Sequence, residues 1–359
     1  MIYRIVSLLC LCIPLLAKAV PVSNLYSAQV LMGANQGEAD LLQNAFTKAA
    51  TQVLARVSGK EVEIKGELAP RIAQQASKWV AEHAVQALPG LYDIDGVSQP
   101  AKQVKVDFYP QLVNQFLYAQ GLPVWGGNRP SILVWVISEQ NGVRAVASAN
   151  QSTSALNALA SHAQMMGLPI YAPLYDDTDQ RNLSGSELWG MFEDSIALAS
   201  KRYQTDMVLA VKVDQLTQDV SANAELFIPD MEPVVWQLTA ENEAAVLESL
   251  IGAVAAELSE RYASTRSDIT GDVVMRVTNI NDASALRLVS SYLSSIDVVR
   301  KVRLATLDGQ TVEWVLTLDG DQQKLLNSIR LRSILVAQTV SALDPDANRV
   351  LAYKYNRGN

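Results

Sequence analysis

The chain has 359 residues, 49% of them hydrophobic and 18% charged, with a net charge of −8. This is globular composition that argues against disorder, and the length suits two or three domains of about 100–150 residues each. Acidic residues outnumber basic ones by 37 to 29 with no long Lys/Arg run, which argues against nucleic acid and anionic lipid as partners.

Residues 1–19 read as an export leader. Met1-Ile2-Tyr3-Arg4 gives a basic start, Ile5 to Leu16 is uncharged and mostly apolar, and Ala17-Lys18-Ala19 has the small-x-small pattern of a cleavage site. The cut is expected between Ala19 and Val20. An apolar run of about 12 residues is too short to cross a hydrocarbon core, which takes roughly 20. The leader therefore addresses the protein without anchoring it, and the expected location is the periplasm of a Gram-negative cell. Cys10 and Cys12 are the only cysteines and both lie in the leader. The mature chain then holds no disulfide, thiolate metal site or cysteine nucleophile. Leu9 and Leu11 precede them where a lipidated Cys follows a small residue, so no lipid anchor is expected. Cleavage also removes Arg4 and Lys18, so 29 basic residues become 27 against 37 acidic, a net charge of −10. No later apolar stretch is long enough to span a membrane.

Three blocks follow in chain order, over 24–122, 130–264 and 269–356. The first opens with an alternating strand over 25–31. A long helix then carries Leu42, Ala45, Phe46, Ala49, Val53 and Val57 at helical spacing and closes at Ser58-Gly59. A second helix is predicted from Leu68 to Val80 with Pro70 in its first turn. Strands around Leu91–Ile94 and Val104–Phe108 and a helix from Tyr109-Pro110 complete the block. Gly121, Pro123, Gly126, Gly127 and Pro130 mark a boundary.

In the second block, Ile132–Ile137 is a six-residue apolar run suited to a strand covered on both faces. A helix over 154–166 and a short strand over 169–173 follow. Ser184-Gly185-Ser186-Glu187 has capping-box spacing, and Leu188, Phe192, Ile196, Ala199 and Tyr203 predict one helix with a buried stripe. Strands over 207–213, 220–228 and 234–239 and a helix with Leu247, Leu250, Val254, Leu258 and Tyr262 close it. This order implies a partly parallel sheet. The third block reads strand 273–277, helix 283–295, strands 299–304 and 312–318, helix 322–331, strand. That is the βαββαβ order of a ferredoxin-like sandwich, with a hairpin at Asp308-Gly309. Its last strand is either 334–340 or 350–355. The fold class is α/β and α+β in three small mixed domains.

Catalytic signals are sparse. His83 and His162 stand alone, without a second ligand at metal-binding spacing. There is no Gly-x-Ser-x-Gly elbow, no Ser-x-x-Lys, no phosphate loop and no Gly-x-Gly-x-x-Gly. A Ser/His/Asp set dispersed in sequence around His162 is the rival enzymatic reading. Asp176, Asp177 and Asp179 form the most site-like feature, a short acidic loop. Read as an EF-hand from Asp177 it has Asn182 where Gly belongs and Leu188 where the bidentate Glu belongs, so a solvated turn ahead of a helix is expected. Asp344-Pro345-Asp346 fails the same way. Trp125, in the boundary loop, either fills a domain junction or anchors a partner, the junction being favoured. Trp125, Asp176, Asp177 and Asp179 are the candidate interaction residues. No cofactor, metal or catalytic residue is assigned.

The string Gly167-Leu168-Pro169-Ile170-Tyr171-Ala172-Pro173-Leu174 is followed by the acidic loop, Leu183-Ser184, Leu188-Trp189-Gly190 and Ala199-Ser200-Lys201-Arg202-Tyr203 with Asp206. Together with Gln52-Val53-Leu54-Ala55-Arg56-Val57-Ser58-Gly59 it resembles the domain-of-unknown-function family 2066 of exported gammaproteobacterial proteins, over most of residues 24–260. That resemblance implies export and brings no activity or catalytic residue. In element order alone, the three-block plan is similar to envelope assembly proteins such as the flagellar protein FlgT and the amino-terminal domain of TolB. The function expected is that of a periplasmic, non-enzymatic binding or scaffold protein working through an unidentified envelope partner. A hydrolase, or a small-molecule or calcium-binding module, are the alternatives. The oligomeric state stays open.

Overall fold

The structure is a computed structural model describing residues 22, 24–94, 96–151, 153–215, 218–265, 270–339 and 349–356. Residues 1–19, read above as a leader, and Asp344-Pro345-Asp346 lie outside the described residues. The first unit contains β1 (Ser27–Gly33), α1 (Glu38–Ser58), α2 (Glu61–Lys65), α3 (Ala69–Trp79), β2 (Val80–Ala87), β3 (Tyr92–Ile94), β4 (Val97–Gln99), β5 (Ala101–Phe108) and α4 (Pro110–Ala119). Its sheet has the antiparallel order β1-β5-β2, while β3 and β4 form a separate hairpin. Alternation puts Val30, Val104 and Val106 on the face that meets Val53, Leu54, Ile72 and Leu117. α1 ends where predicted, because Gly59 adopts φ +69 and donates to the Ala55 carbonyl. The sequence reading contains no strand at β2. Its Val-Ala-Glu-His-Ala-Val-Gln-Ala run has weak β character, and pairing with β5 imposes the strand.

The second unit contains β6 (Ile132–Gln140), β7 (Val143–Val146), α5 (Ser154–Met166), β8 (Ile170–Tyr171), α6 (Asp177–Asn182), α7 (Gly185–Trp189), α8 (Glu193–Ser200), a 3₁₀ turn (Lys201–Tyr203), β9 (Met207–Gln215), β10 (Val220–Phe227), β11 (Val234–Ala240) and α9 (Glu243–Tyr262). The order is β11-β10-β9-β6-β7 with β8 also on β6, and β6 runs parallel to both β8 and β9. α5 and α9 cover one face. The other is closed over β6 by Leu183, Leu188, Ile196 and Ala199. The single helix expected from Ser184 is instead α7, α8 and the 3₁₀ turn. Gly190 and the positive φ of Met191 break it, so Phe192 precedes α8 and is 56% exposed, off the buried stripe. The Ser184–Glu187 capping box is present in both directions.

The third unit contains β12 (Thr270–Thr278), α10 (Ala283–Ser294), β13 (Val299–Asp308), β14 (Thr311–Asp319), α11 (Gln322–Arg330), β15 (Leu335–Ala337) and β16 (Val350–Tyr355). Both candidates for the last strand are strands. The order is β13-β14-β12-β16-β15, with β16 parallel to β12. β15 runs in the direction a ferredoxin-like fourth strand requires. β16 is inserted between it and β12, so the expected βαββαβ is corrected to βαββαββ. The block's hydrophobic core is its own, built on Met275, Val289, Leu293, Trp314, Leu316 and Leu325.

The first two units share one core. Leu54, Ala55 and Val57 of α1 belong to the same buried cluster as Leu159, Ala163 and Met166 of α5 and Val254 and Leu258 of α9. The breaker-rich stretch at 121–130 thus interrupts the chain but not the packing. Residues 269–356 expressed alone are expected to give a cooperative thermal transition and dispersed amide resonances. Residues 24–122 alone, with the α5/α9 side of α1 exposed, are expected to give neither. An unfolded 269–356 fragment or a cooperatively folded 24–122 fragment would contradict these cores.

Candidate functional site

Trp125 is fully buried at the junction of the first two units, so it is withdrawn from the candidate interaction surface. Its backbone N–H donates to the Val57 carbonyl at 2.7 Å, and the Arg129 guanidinium stacks on its ring at 4.2 Å. Arg129 is itself buried and spends its donors on main-chain oxygens. Nε donates to Gly126 (3.0 Å), Nη1 to Met166 (2.7 Å) and Gly167 (3.3 Å), and Nη2 to Arg56 (2.7 Å) and Trp125 (3.0 Å). Arg56 does the same from the other side. It donates Nε to Met165 (2.7 Å) and Nη1 to Ser27 (2.7 Å), with longer contacts to Asn24 and Leu25. Burial pulls both guanidinium pKa values down, and the carbonyl acceptors keep the charged forms solvated from within. Gly167 is obligatory here. Its φ is +70, and a Cβ would sit 3.1 Å from both Arg129 Nη1 and Arg56 Cγ.

The third unit reaches this junction through Asp297, whose Oδ2 accepts from the Gly126 N–H at 2.8 Å. Desolvation pushes the Asp297 pKa up to about 6, against the pull of the Gly126 N–H and the Arg129 charge. Val124 pairs with Ser264, the Ser264 hydroxyl donates to the Asp319 carbonyl, and Lys324 Nζ donates to the Ala263 carbonyl.

The acidic loop is divided by the structure. Asp177 is exposed, whereas Asp179 is fully buried and leaves the candidate surface. Asp176 caps α6, accepting from the Thr178 and Asp179 N–H groups. Arg202 Nη1 donates to Asp176 Oδ1 (2.7 Å) and Asp179 Oδ1 (3.1 Å), while Asp179 Oδ2 accepts from the Tyr175 N–H and the Tyr203 hydroxyl. The Arg202 hydrogen bond holds the Asp176 carboxyl down to about 2. Tyr175 and Tyr203 both stand edge-on to Trp135, so the loop locks α6 onto the outer face of β6. The Asp176 and Asp179 carboxylates are occupied by protein donors. Among the described residues no group of three or more His, Cys, Asp or Glu is arranged to hold a metal.

His83 lies against Phe46 on β2, with ring centres 5.1 Å apart. His162 is buried on α5, its Nε2 2.9 Å from Glu61 Oε2. Desolvation works to raise the Glu61 pKa, but hydrogen bonds from His162 and Lys65 outweigh it and hold it low. This pair joins α2 to α5 under α9, where a Cβ on Gly252 would meet Glu61 Oε2 at 3.1 Å. Sequence reasoning missed Arg56, Arg129, Asp297 and Glu61, whose partners are backbone atoms or lie far away in the chain.

One family matches, described as Domain of unknown function (DUF8605), over residues 19–126. That span takes in the first unit and the junction loop as far as Gly126, and the description carries no activity. No curated protein matches the chain.

Two outcomes are expected. Asp179→Asn removes the charge that Arg202, Tyr203 and the Tyr175 N–H surround and should cost about 2–3 kcal/mol in urea unfolding. Asp177→Asn should stay within about 0.5 kcal/mol, and millimolar calcium should leave the melting temperature of the parent unchanged. A saturable calcium-dependent rise would restore the metal reading. The second concerns pH. The folded pKa of Asp297 lies above the unfolded value of about 3.9, so its contribution to stability is full below that value and is lost as pH rises through about 6. Asp297→Asn should therefore be more stable than the parent at pH 7, the two converging near pH 4. A parent that gains on the variant as pH rises would reverse the sign.

Proposed function

We propose that this is an exported, non-enzymatic binding or scaffold protein of the periplasm, working through protein–protein contacts in the cell envelope. The observation that carries the reading is the junction built on Arg56, Arg129 and Trp125. A buried and a half-buried guanidinium, with an indole, are committed to fixing the relation between units, the guanidinium donors spent on main-chain oxygens. Such a joint suits a body that presents several surfaces in fixed geometry. The leader pattern of residues 1–19 supports the same reading. No helix among the described residues is long and apolar enough to cross a membrane.

His162 argues for structure over catalysis. It is buried, and among the described residues its ring makes its one hydrogen bond with Glu61, with no Ser or Thr hydroxyl on the imidazole for it to activate. Fractionation with amino-terminal sequencing should find the chain in the periplasm, starting at Val20. A strain carrying His83→Gln and His162→Gln together should match the parent in any deletion phenotype, provided the variant accumulates normally. An intact chain in the cytoplasm would overturn export. A folded, abundant double variant that fails to complement would revive a histidine-dependent enzyme.

A further inference from the structure

The junction loop and the third unit enclose a groove of about 500 Å³, lined by Gly127, Asn128, Leu288, Ser291, Tyr292, Ser295, Arg332 and Ile334. Arg332 is its anomaly. Its Nε is buried without a hydrogen-bond partner, and among the described residues its guanidinium makes no hydrogen bond or ion pair, with the Tyr292 ring 6.0 Å away. Asp206, the acidic group that feels its charge, is held by the Ser131 N–H (2.7 Å) and hydroxyl (2.6 Å). A buried donor left unpaired is costly and rare in native proteins. Arg129, a few residues from the groove wall, shows how fully this junction satisfies a guanidinium that has a structural task.

We propose that the groove binds one carboxylate carried on an apolar body, with Arg332 as its anchor. A guanidinium fork matches a carboxylate in two parallel hydrogen bonds. Leu288, 46% exposed at the rim, and Ile334 supply apolar wall, while Asn128 and Ser291 offer polar partners. The volume falls within the range of small-ligand sites. Charge selects a monoanion. Asp206 beside Arg332, and Asp297 against Gly126, would both repel a phosphate dianion. The carboxylate has two sources, a free apolar acid or the carboxyl terminus of a polypeptide ending in an apolar residue.

The proposal does not depend on export, so its test uses the purified full chain. Calorimetric titrations would compare octanoate, the peptide acetyl-Ala-Ala-Leu with a free carboxylate, and the same peptide as its terminal amide. At least one free acid should bind at one site per chain. Arg332→Gln and the amide should each weaken binding about tenfold or more, the worth of a charge-assisted bond. Octanoate alone binding identifies a small acid, the peptide acid alone identifies a polypeptide terminus, and both binding identifies the shared group. Ser291→Trp, at an exposed helix position lining the groove, should abolish binding with Arg332 intact, and it decides the matter if Arg332→Gln unfolds. No binding by either acid at millimolar concentration, equal binding by the amide, or binding that survives both substitutions would overturn the proposal.

Discussion

Two helix C-termini meet at the centre of this molecule, and two arginines make that meeting possible. α1 ends at Ser58 and α5 at Met166, and each leaves its last carbonyls without an intrahelical donor. Both ends also carry the negative pole of their helix dipoles, so bringing them together without a cation would bury repelling dipoles and unpaired oxygens. Arg129 reaches both, taking the Arg56 carbonyl from the first helix and the Met166 and Gly167 carbonyls from the second. Arg56 crosses back to Met165 and to the start of β1. Truncating Arg129 would leave several buried acceptors unsatisfied at once, a loss of about 3–5 kcal/mol by analogy with broken buried ion pairs.

The rest of the architecture is arranged around that meeting. Gly59, which ends α1, lies so close to α9 that a Cβ would sit 2.5 Å from Ser259 Cβ, and its φ is positive as well. The shared core of α1, α5 and α9 requires this close approach, since a side chain at either Gly59 or Gly167 would pry the helices apart. The third unit is attached more lightly. It keeps its own core, places Leu331 in the shared one, packs α11 on α9, and adds single polar links, among them the Asp297 carboxylate on Gly126. Desolvation raises the pKa of that carboxyl, so the link responds to pH.

Elements with their own periodicity were legible in the sequence. α5 and α9, the buried strands β6 and β9, the capping box at Ser184 and the αL stop at Gly59 all follow from local pattern. What escaped was set by tertiary context. β2 is a strand because β5 pairs with it, and the two alternatives for the last strand are both used because β16 inserts between β12 and β15, pairings that only the folded sheet sets. The continuous helix expected from Ser184 failed because the apolar spacing carries on through Gly190 and Met191, where the backbone does not. The candidate site suffered the same limit. Trp125 was correctly favoured as a junction residue, while Asp179 read as an exposed carboxylate because its partners, Arg202 and Tyr203, lie more than twenty residues away. Arg129 was invisible for a deeper reason. Its acceptors are backbone carbonyls, which every residue possesses and no sequence pattern marks.

Three arginines, Arg129, Arg202 and Arg332, stand in contrasting environments, and the contrast carries the functional argument. Arg129 is buried and saturated by carbonyls, so its task is structural and largely immune to salt. Arg202 is partly exposed between Asp176 and Asp179, an ion pair that ionic strength weakens while Tyr203 and the Trp135 cluster hold the loop in place. Arg332 lines a groove, and its buried Nε has nothing among the described residues to receive it. A fold that satisfies the first two so completely has the means to satisfy the third, since Asp206 is close enough for its pKa to respond to Arg332. Ser131 holds that carboxylate instead. The guanidinium is thereby left with unused hydrogen-bonding capacity at a surface where two units meet, and there a ligand would contact both.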